Sequence, residues 1–221
     1  MGSSNRFKLV VDGFCGAGGN SIQFAMTCNK VIAINKEPNK IKLARSNAKI
    51  YRVAEKIEFV CADFLAWMAG LTTAQTASID VIFLSPPWGG INYLNSPEAE
   101  EEEAGTVEKK GNKKKQEKRR QHYYKLKELA PINGQELFKR ARQITERIIY
   151  YLPRHTDLHN LSKLAALFPA HSSVSSPSKT GQQVGQKFMI EVEENWMNQK
   201  CKALTVYFGP LVSSSQPHNS T

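Results

Sequence analysis

From Phe7 to Leu84 the chain alternates short apolar runs with segments of helical spacing, and this cadence narrows the choice of fold more than any other feature. "FKLVVDGF" (7–14) reads as a strand and "GNSIQFAMTC" (19–28) as the opening of a helix. "KVIAI" (30–34) is a second strand. Ile41, Ala44, Ala48 and Tyr51 then recur with a helical period behind Pro38, a residue suited to a first helical turn. "KIEFVCAD" (56–63) predicts a third strand, one short helix follows, and "IDVIFL" (79–84) predicts a fourth strand. Strand and helix in this order predict an α/β fold with a parallel sheet and right-handed crossovers.

The later part is less regular. "GQELFKRARQITERIIYYLP" (134–153) predicts a helix with Leu137, Ala141, Ile144 and Ile148 on one apolar face, running into a fifth strand at "IIYYL". "DLHNLSKLAAL" (157–167) reads as another helix, and residues 187–209 as two strands around a turn. Between them lie a charged insert at about 95–122 and a Ser/Gly/Pro-rich loop at about 169–186, both expected to be disordered or flexible. Residues 1–211 form one expected domain and 212–221 a frayed tail.

Charge and composition restrict the partners. The net charge is +10, and removing 95–122 still leaves 22 Lys/Arg against 13 Asp/Glu, so the basic excess belongs to the folded part and favours an anionic partner. The run "KKGNKKKQEKRR" reads either as a nuclear-import or RNA-binding patch or as a solvated loop. No apolar run approaches the about 18–20 residues that cross a bilayer, and the N-terminus has too short an apolar stretch for a secretory signal. Cys15, Cys28, Cys61 and Cys201 are scattered, which predicts free thiols. His155 and His159 are spaced for one helix face, but "HTDLH" lacks the Glu of a metalloprotease helix, and no metal is expected.

Two stretches carry chemistry. "VVDGFCGAGGNSIQF" puts Asp12 at the end of the first strand and Gly16, Gly18 and Gly19 before a helix. Glycines there permit positive φ and close approach of a ligand to the backbone. An acid ahead of the glycines repels pyrophosphate and suits an ammonium, which favours S-adenosylmethionine over a dinucleotide. At the ends of strands two and three stand Asn35, a hydroxyl partner for a ribose, and Asp63–Phe64, an acceptor and a ring for an adenine. Asp63 is equally suited to cap the next helix. The second stretch is "FLSPPWGG" (83–90), a stiff turn at the end of a buried strand. The Ser85 oxygen and Pro86 carbonyl are placed to accept N–H bonds from an amine conjugated to a base, with Trp88 stacking on that base. This is pre-organisation and not acid–base catalysis.

"SPPW" resembles the proline motif of methyltransferases that act on exocyclic amines. With "VIAINKEPNKIKLARSNAKIY", "KIEFVCADF", "IIYYLPRHTDL" and "ENWMNQKCKALTVYFG", it makes the chain similar to the trimethylguanosine synthases, the RNA cap hypermethylases. The resemblance implies a class I, Rossmann-like, S-adenosylmethionine-dependent methyltransferase. Its fold is a mostly parallel seven-stranded sheet with an antiparallel C-terminal hairpin. It also implies transfer to the N2 amine of 7-methylguanosine caps on small nuclear and nucleolar RNAs, in the nucleus (nucleolus or Cajal bodies) and also the cytoplasm, by a monomer. The implied catalytic residues are Ser85, Pro86 and Trp88. The cofactor site takes Asp12, Gly16, Gly18, Asn20, Ser21, Asn35, Asp63, Phe64 and Ser85. The substrate site takes Asn47 at the base, Trp88, and Arg154 at a cap phosphate. Asn35 stands where the family has an Asp, and the family's helical segment ahead of strand one is expected to be missing. Two alternatives follow: a catalytically impaired cap- or RNA-binding fragment or paralogue, and an N2-guanine or N6-adenine methyltransferase of other nucleic acids.

Overall fold

The structure is a computed structural model that describes residues 7–88, 123–129, 132–168 and 190–212. The expectations for the charged insert, the 169–186 loop and the tail from 213 onward lie outside these residues. Seven strands form one sheet: β1 (Leu9–Asp12), β2 (Lys30–Asn35), β3 (Ile57–Cys61), β4 (Val81–Leu84), β5 (Ile148–Pro153), β6 (Glu191–Met197) and β7 (Lys200–Phe208). Their spatial order is β3-β2-β1-β4-β5-β7-β6. The first five are parallel, β7 runs antiparallel to β5, and β6 antiparallel to β7. The expected seven-stranded, mostly parallel sheet with an antiparallel C-terminal hairpin is the one observed.

Helices α1 (Gly19–Thr27) and α2 (Pro38–Ile50) cover one face; α3 (Phe64–Ala69), α5 (Gly134–Arg142) and α6 (Leu158–Ala165) cover the other. The short α4 (Thr73–Ser78) buries nothing and is held by a capping box between Thr72 and Gln75. The α1/α2 side is lean. Ile22, Ala25, Ile41, Ala44 and Ala48 meet Val31, Ala33 and Ile57, so small residues bring both helices close to the strands. The opposite side is heavy and aromatic. Phe138 sits 4.6 Å from Phe208, 6.0 Å from Phe168 and 6.4 Å from Tyr150, ring centre to ring centre. Each such side chain removed from water contributes roughly 2–3 kcal/mol.

Four local expectations need correction. Helix α5 ends at Arg142, and Ile148 opens β5 opposite Ile82 of β4, since "IIYY" is β-branched and aromatic and finds a parallel partner. Tyr51 is not part of the α2 core face: it is the C-cap, exposed, and Arg52 turns the chain at φ 58°. His155 lies in the turn before α6, so it shares no helix face with His159. The single helix expected after β3 is two, split at Gly70.

Phe138→Ala leaves a cavity between α5 and β7 that the surrounding rings cannot fill. It is expected to cost about 3–5 kcal/mol, read as a shift in the denaturant midpoint at unchanged slope. A loss below about 1 kcal/mol would show that this aromatic cluster is not the core of the second face.

Candidate active site

The strand order reverses between β1 and β4, and such a switch point is where open α/β sheets place their ligands. The loop after β1 is strapped on both sides. Gly13 N–H donates to Phe83 O of β4 at 3.0 Å, and Cys15 N–H to Ile34 O of β2 at 2.9 Å. Gly16 and Gly18 have φ of 52° and 89°, which side-chain-bearing residues rarely adopt. A Cβ on Gly18 would lie 3.0 Å from the Cβ of Ala44, so α2 approaches the loop as near as two backbones allow. At Gly16 a Cβ would meet nothing within 4 Å, so this stretch of backbone is open to a ligand.

Asp12 is fully buried beneath this loop. Its Oδ2 accepts from Ser21 Oγ at 2.6 Å and its Oδ1 from Phe14 N–H at 3.3 Å. Asp12 and Ser21 therefore shape the loop from below. Burial pushes the Asp12 carboxyl from 3.8 up to about 6, against the pull of the Ser21 and Phe14 hydrogen bonds. Burial, followed by the Asp12 charge, pushes the Cys15 thiol up to about 12, leaving it unreactive.

Asn35, at the end of β2, accepts Glu37 N–H on its Oδ1 at 2.9 Å, a short turn that feeds the chain into α2. Asp63 caps α3, its Oδ1 accepting from Leu65 N–H at 3.0 Å and Ala66 N–H at 3.1 Å, so the capping role is realised. Phe64 is 3% exposed, its ring under Gly13, edge-on to Phe14 and stacked on Trp67. It supports the loop and has no open face for an adenine. Asn47 is drawn to the glycine loop as well: its Nδ2 donates to Ala17 O at 2.9 Å.

The β4 loop meets the β1 loop directly, with Ser85 Oγ donating to Phe14 O at 3.5 Å. Pro86 is buried and Pro87 exposed. Trp88 is held against β5. Its Nε1–H donates to Tyr151 O at 3.3 Å, and the two rings lie 5.3 Å apart at 30°. Arg154, just past the end of β5, donates to His155 Nε2 at 2.9 Å and to Cys201 O of β7 at 3.4 Å. Asn20, exposed on α1, lines a groove of about 200 Å³ with Phe24, Phe83, Tyr151, Thr205 and Tyr207. Of the residues marked in the sequence, Asp12, the glycines, Ser21, Ser85 and Trp88 stand in or against the two loops at the switch point. The sequence reading missed Tyr151 and Phe14. Tyr151 was traceable, because period-two alternation sends one of two adjacent tyrosines away from the core, and Tyr150 takes the buried side.

A parallel sheet of this order, with a glycine loop and a proline loop at its switch point, defines a Rossmann-like methyltransferase fold. A solved structure assigned as a methyltransferase from Porphyromonas gingivalis W83 superposes with a TM-score of 0.53 over 94% of this chain and 38% of its own, at 13% identity. Residues 7–103 and 116–211 match the RNA cap guanine-N2 methyltransferases, and the chain belongs to that family. It is 32% identical over 161 residues to a trimethylguanosine synthase of Schizosaccharomyces pombe, covering 72% of this chain and 56% of the relative. It is 29% identical over 159 residues to that of Saccharomyces cerevisiae, covering 71% and 42%. The chain thus spans about half the length of the curated relatives it matches.

The Asp12 carboxyl is expected to set a pH dependence of stability. Its folded value lies above its unfolded one, so the native state holds the proton more tightly. The stabilisation is complete below about pH 4 and is lost as pH rises through about 6, a change of roughly 3 kcal/mol. Asp12→Asn keeps an acceptor for Ser21 and removes the titration. Thermal melts from pH 4 to 7.5 should fall less steeply for the variant, and parallel curves for both proteins would refute this origin.

Proposed function

We propose that this chain transfers methyl groups from S-adenosylmethionine to the exocyclic N2 amine of 7-methylguanosine caps on RNA. The reading extends to small nuclear and nucleolar RNAs as targets and to a monomer working in the nucleus and also the cytoplasm. The observation that carries the reaction is the Ser85–Phe14 contact, which holds the proline loop against the glycine loop at the switch point.

The residues present fit the cofactor. Open backbone at Gly16, exposed Asn20 and half-buried Asn35 stand at the C-terminal ends of β1 and β2. Exposed Asp63 stands after β3. S-adenosylmethionine, when bound, supplies an electrophilic methyl on a sulfonium. The chain supplies orientation. Ser85 Oγ and the Pro86 carbonyl accept the two amine hydrogens and turn the nitrogen lone pair out of conjugation with the base. Pro86 is rigid and buried, so this arrangement exists before the amine arrives. Trp88 offers its ring to the base, and because 7-methylguanine is cationic the stack gains roughly 2 kcal/mol when desolvated. Arg154 carries a guanidinium at the same end of the sheet for a cap phosphate. Asn47 reaches the base from the glycine-loop side.

The test is methyl transfer to a 7-methylguanosine cap dinucleotide, with the unmethylated dinucleotide and uncapped RNA as comparisons. Turnover confined to the methylated cap is expected. Turnover on uncapped RNA or DNA would move the reaction to another exocyclic amine. Trp88→Ala should raise KM for the cap about 30-fold, the equivalent of the stacking energy, while melting as the native chain does.

A second reading, a cap- or RNA-binding paralogue of weak turnover, is favoured by Asn35. Its side-chain oxygen is committed to Glu37 N–H and carries no charge for a ribose hydroxyl. Asn35→Asp keeps that turn and adds the charge, so calorimetry should show the cofactor bound about fivefold more tightly. Unchanged affinity would remove Asn35 from the cofactor site.

A further inference from the structure

Trp88 follows Pro86-Pro87, and a stiff turn fixes where a side chain starts without fixing the plane of its ring. Strand β5 meets that ring in two ways. Trp88 Nε1–H donates to the backbone O of Tyr151 at 3.3 Å, and the two rings lie 5.3 Å apart at 30°. The two contacts act differently. A hydrogen bond at one edge fixes a point and lets the indole pivot about it. A second ring packed alongside restricts the pivot.

Tyr151 is itself backed. Strand alternation turns it to the α1 side of the sheet, half-buried, while Tyr150 enters the opposite core. Its ring lies 6.3 Å from Phe83 of β4, and Phe83 lies 5.1 Å from Phe24 of α1. Across the ladder to β7 it pairs with Thr205, whose Oγ1 accepts from Asn195 Nδ2 at 2.9 Å. A row of rings thus runs Phe24, Phe83, Tyr151, Trp88, from the helix that opens at the glycine loop to the turn after β4. Ser21 ties the same helix to Asp12. Among the described residues the Tyr151 hydroxyl makes no hydrogen bond, so the ring is what this side chain contributes. Behind it lies the groove of about 200 Å³, which Tyr151 lines with Phe24, Phe83, Ile149 and Tyr207. Without the Tyr151 ring that groove would reach Trp88 and leave the indole space to tip toward β5.

We infer that Tyr151 is a positioning residue: its ring holds Trp88 in the plane that a cationic base requires, and so sets the preference for the methylated cap. The reason is angular. A cation is drawn to the face of an indole, and the attraction needs the charge to lie over the ring. Burial of an uncharged base is non-directional and tolerates a tilted platform. The inference rests on the proposed cap reaction and deepens it, naming the side chain that makes Trp88 selective.

The experiment is a double-mutant cycle on binding, with selectivity as its readout. Calorimetry measures the 7-methylguanosine cap dinucleotide and its unmethylated counterpart. The proteins are the native chain, Tyr151→Leu, Tyr151→Phe, Trp88→Ala, and the double variant Tyr151→Leu/Trp88→Ala. Tyr151→Leu is expected to weaken the methylated cap about tenfold, the size expected of an aromatic pair, and the unmethylated one no more than about twofold. Tyr151→Phe keeps the ring and should restore both affinity and selectivity. In the chain that lacks Trp88, Tyr151→Leu should change neither ligand. An equal loss toward both dinucleotides overturns the inference, as does a loss that persists without Trp88, because Tyr151 would then act on the fold or on the ligand itself. Failure of Tyr151→Phe to restore selectivity moves the effect to the hydroxyl and overturns it too. A native chain that binds neither dinucleotide overturns this inference and the proposed reaction together. Turnover is read separately. A chain that binds the methylated cap with this coupling but methylates nothing sinks the proposed reaction and leaves Tyr151 in its role. One that methylates the cap, with Tyr151→Leu as selective as the native chain, does the reverse.

Discussion

The hydrogen bond from Gly13 N–H to Phe83 O carries the β1–β4 ladder one step beyond the strands, to the point where their loops must part. The rest of the site takes its position from that bond. It fixes the β1 loop against β4, and Ser85 then reaches Phe14 O from the other side. The geometry tolerates no side chain at residue 13, where a Cβ would lie 2.9 Å from the Phe64 ring. Phe64 in turn stays deep because Asp63 caps α3 and sets the entry angle of that helix. Two loops with separate chemistry are thus held in one register by a chain of contacts that runs through the core.

Several residues that the sequence marked for ligands turn out to have a structural partner already. Asn35 closes a turn, Asp63 caps a helix, Asn47 holds Ala17, and Asp12 is bound by Ser21 and Phe14. A carboxylate or amide has more than one hydrogen-bonding position, so such a partner leaves room for another at the exposed groups. Asp12 is different. Both oxygens are used and the carboxyl is out of solvent, so it acts by holding the loop and not by meeting a ligand.

The contrast explains what was legible. The four leading strands were readable because runs such as "VIFL" are buried on both faces, which happens in parallel sheets covered by helices. The two loops were readable because glycine and proline impose backbone shapes wherever they stand. Ile148 was misplaced because its spacing from Ile144 fits a helix, and only the partner strand decides the matter. The insertion of β7 between β5 and β6 is likewise a long-range choice that leaves no local mark. Phe64 looked like an adenine platform because residue type at a strand end is visible in sequence, whereas depth is set by what packs above it.

The lean packing of α2 has a consequence of its own. A helix that met the sheet through large side chains would need a wide apolar face and would sit farther from the loop. Ala44 and Ala48 let it approach until Gly18 and Ala44 nearly touch. The same small residues confine burial to one narrow stripe and leave the remaining helix surface free to be charged. Close approach to the glycine loop and a narrow buried stripe are therefore two results of one packing choice. Enlarging Ala44 would push the helix outward and disturb the glycine loop with it.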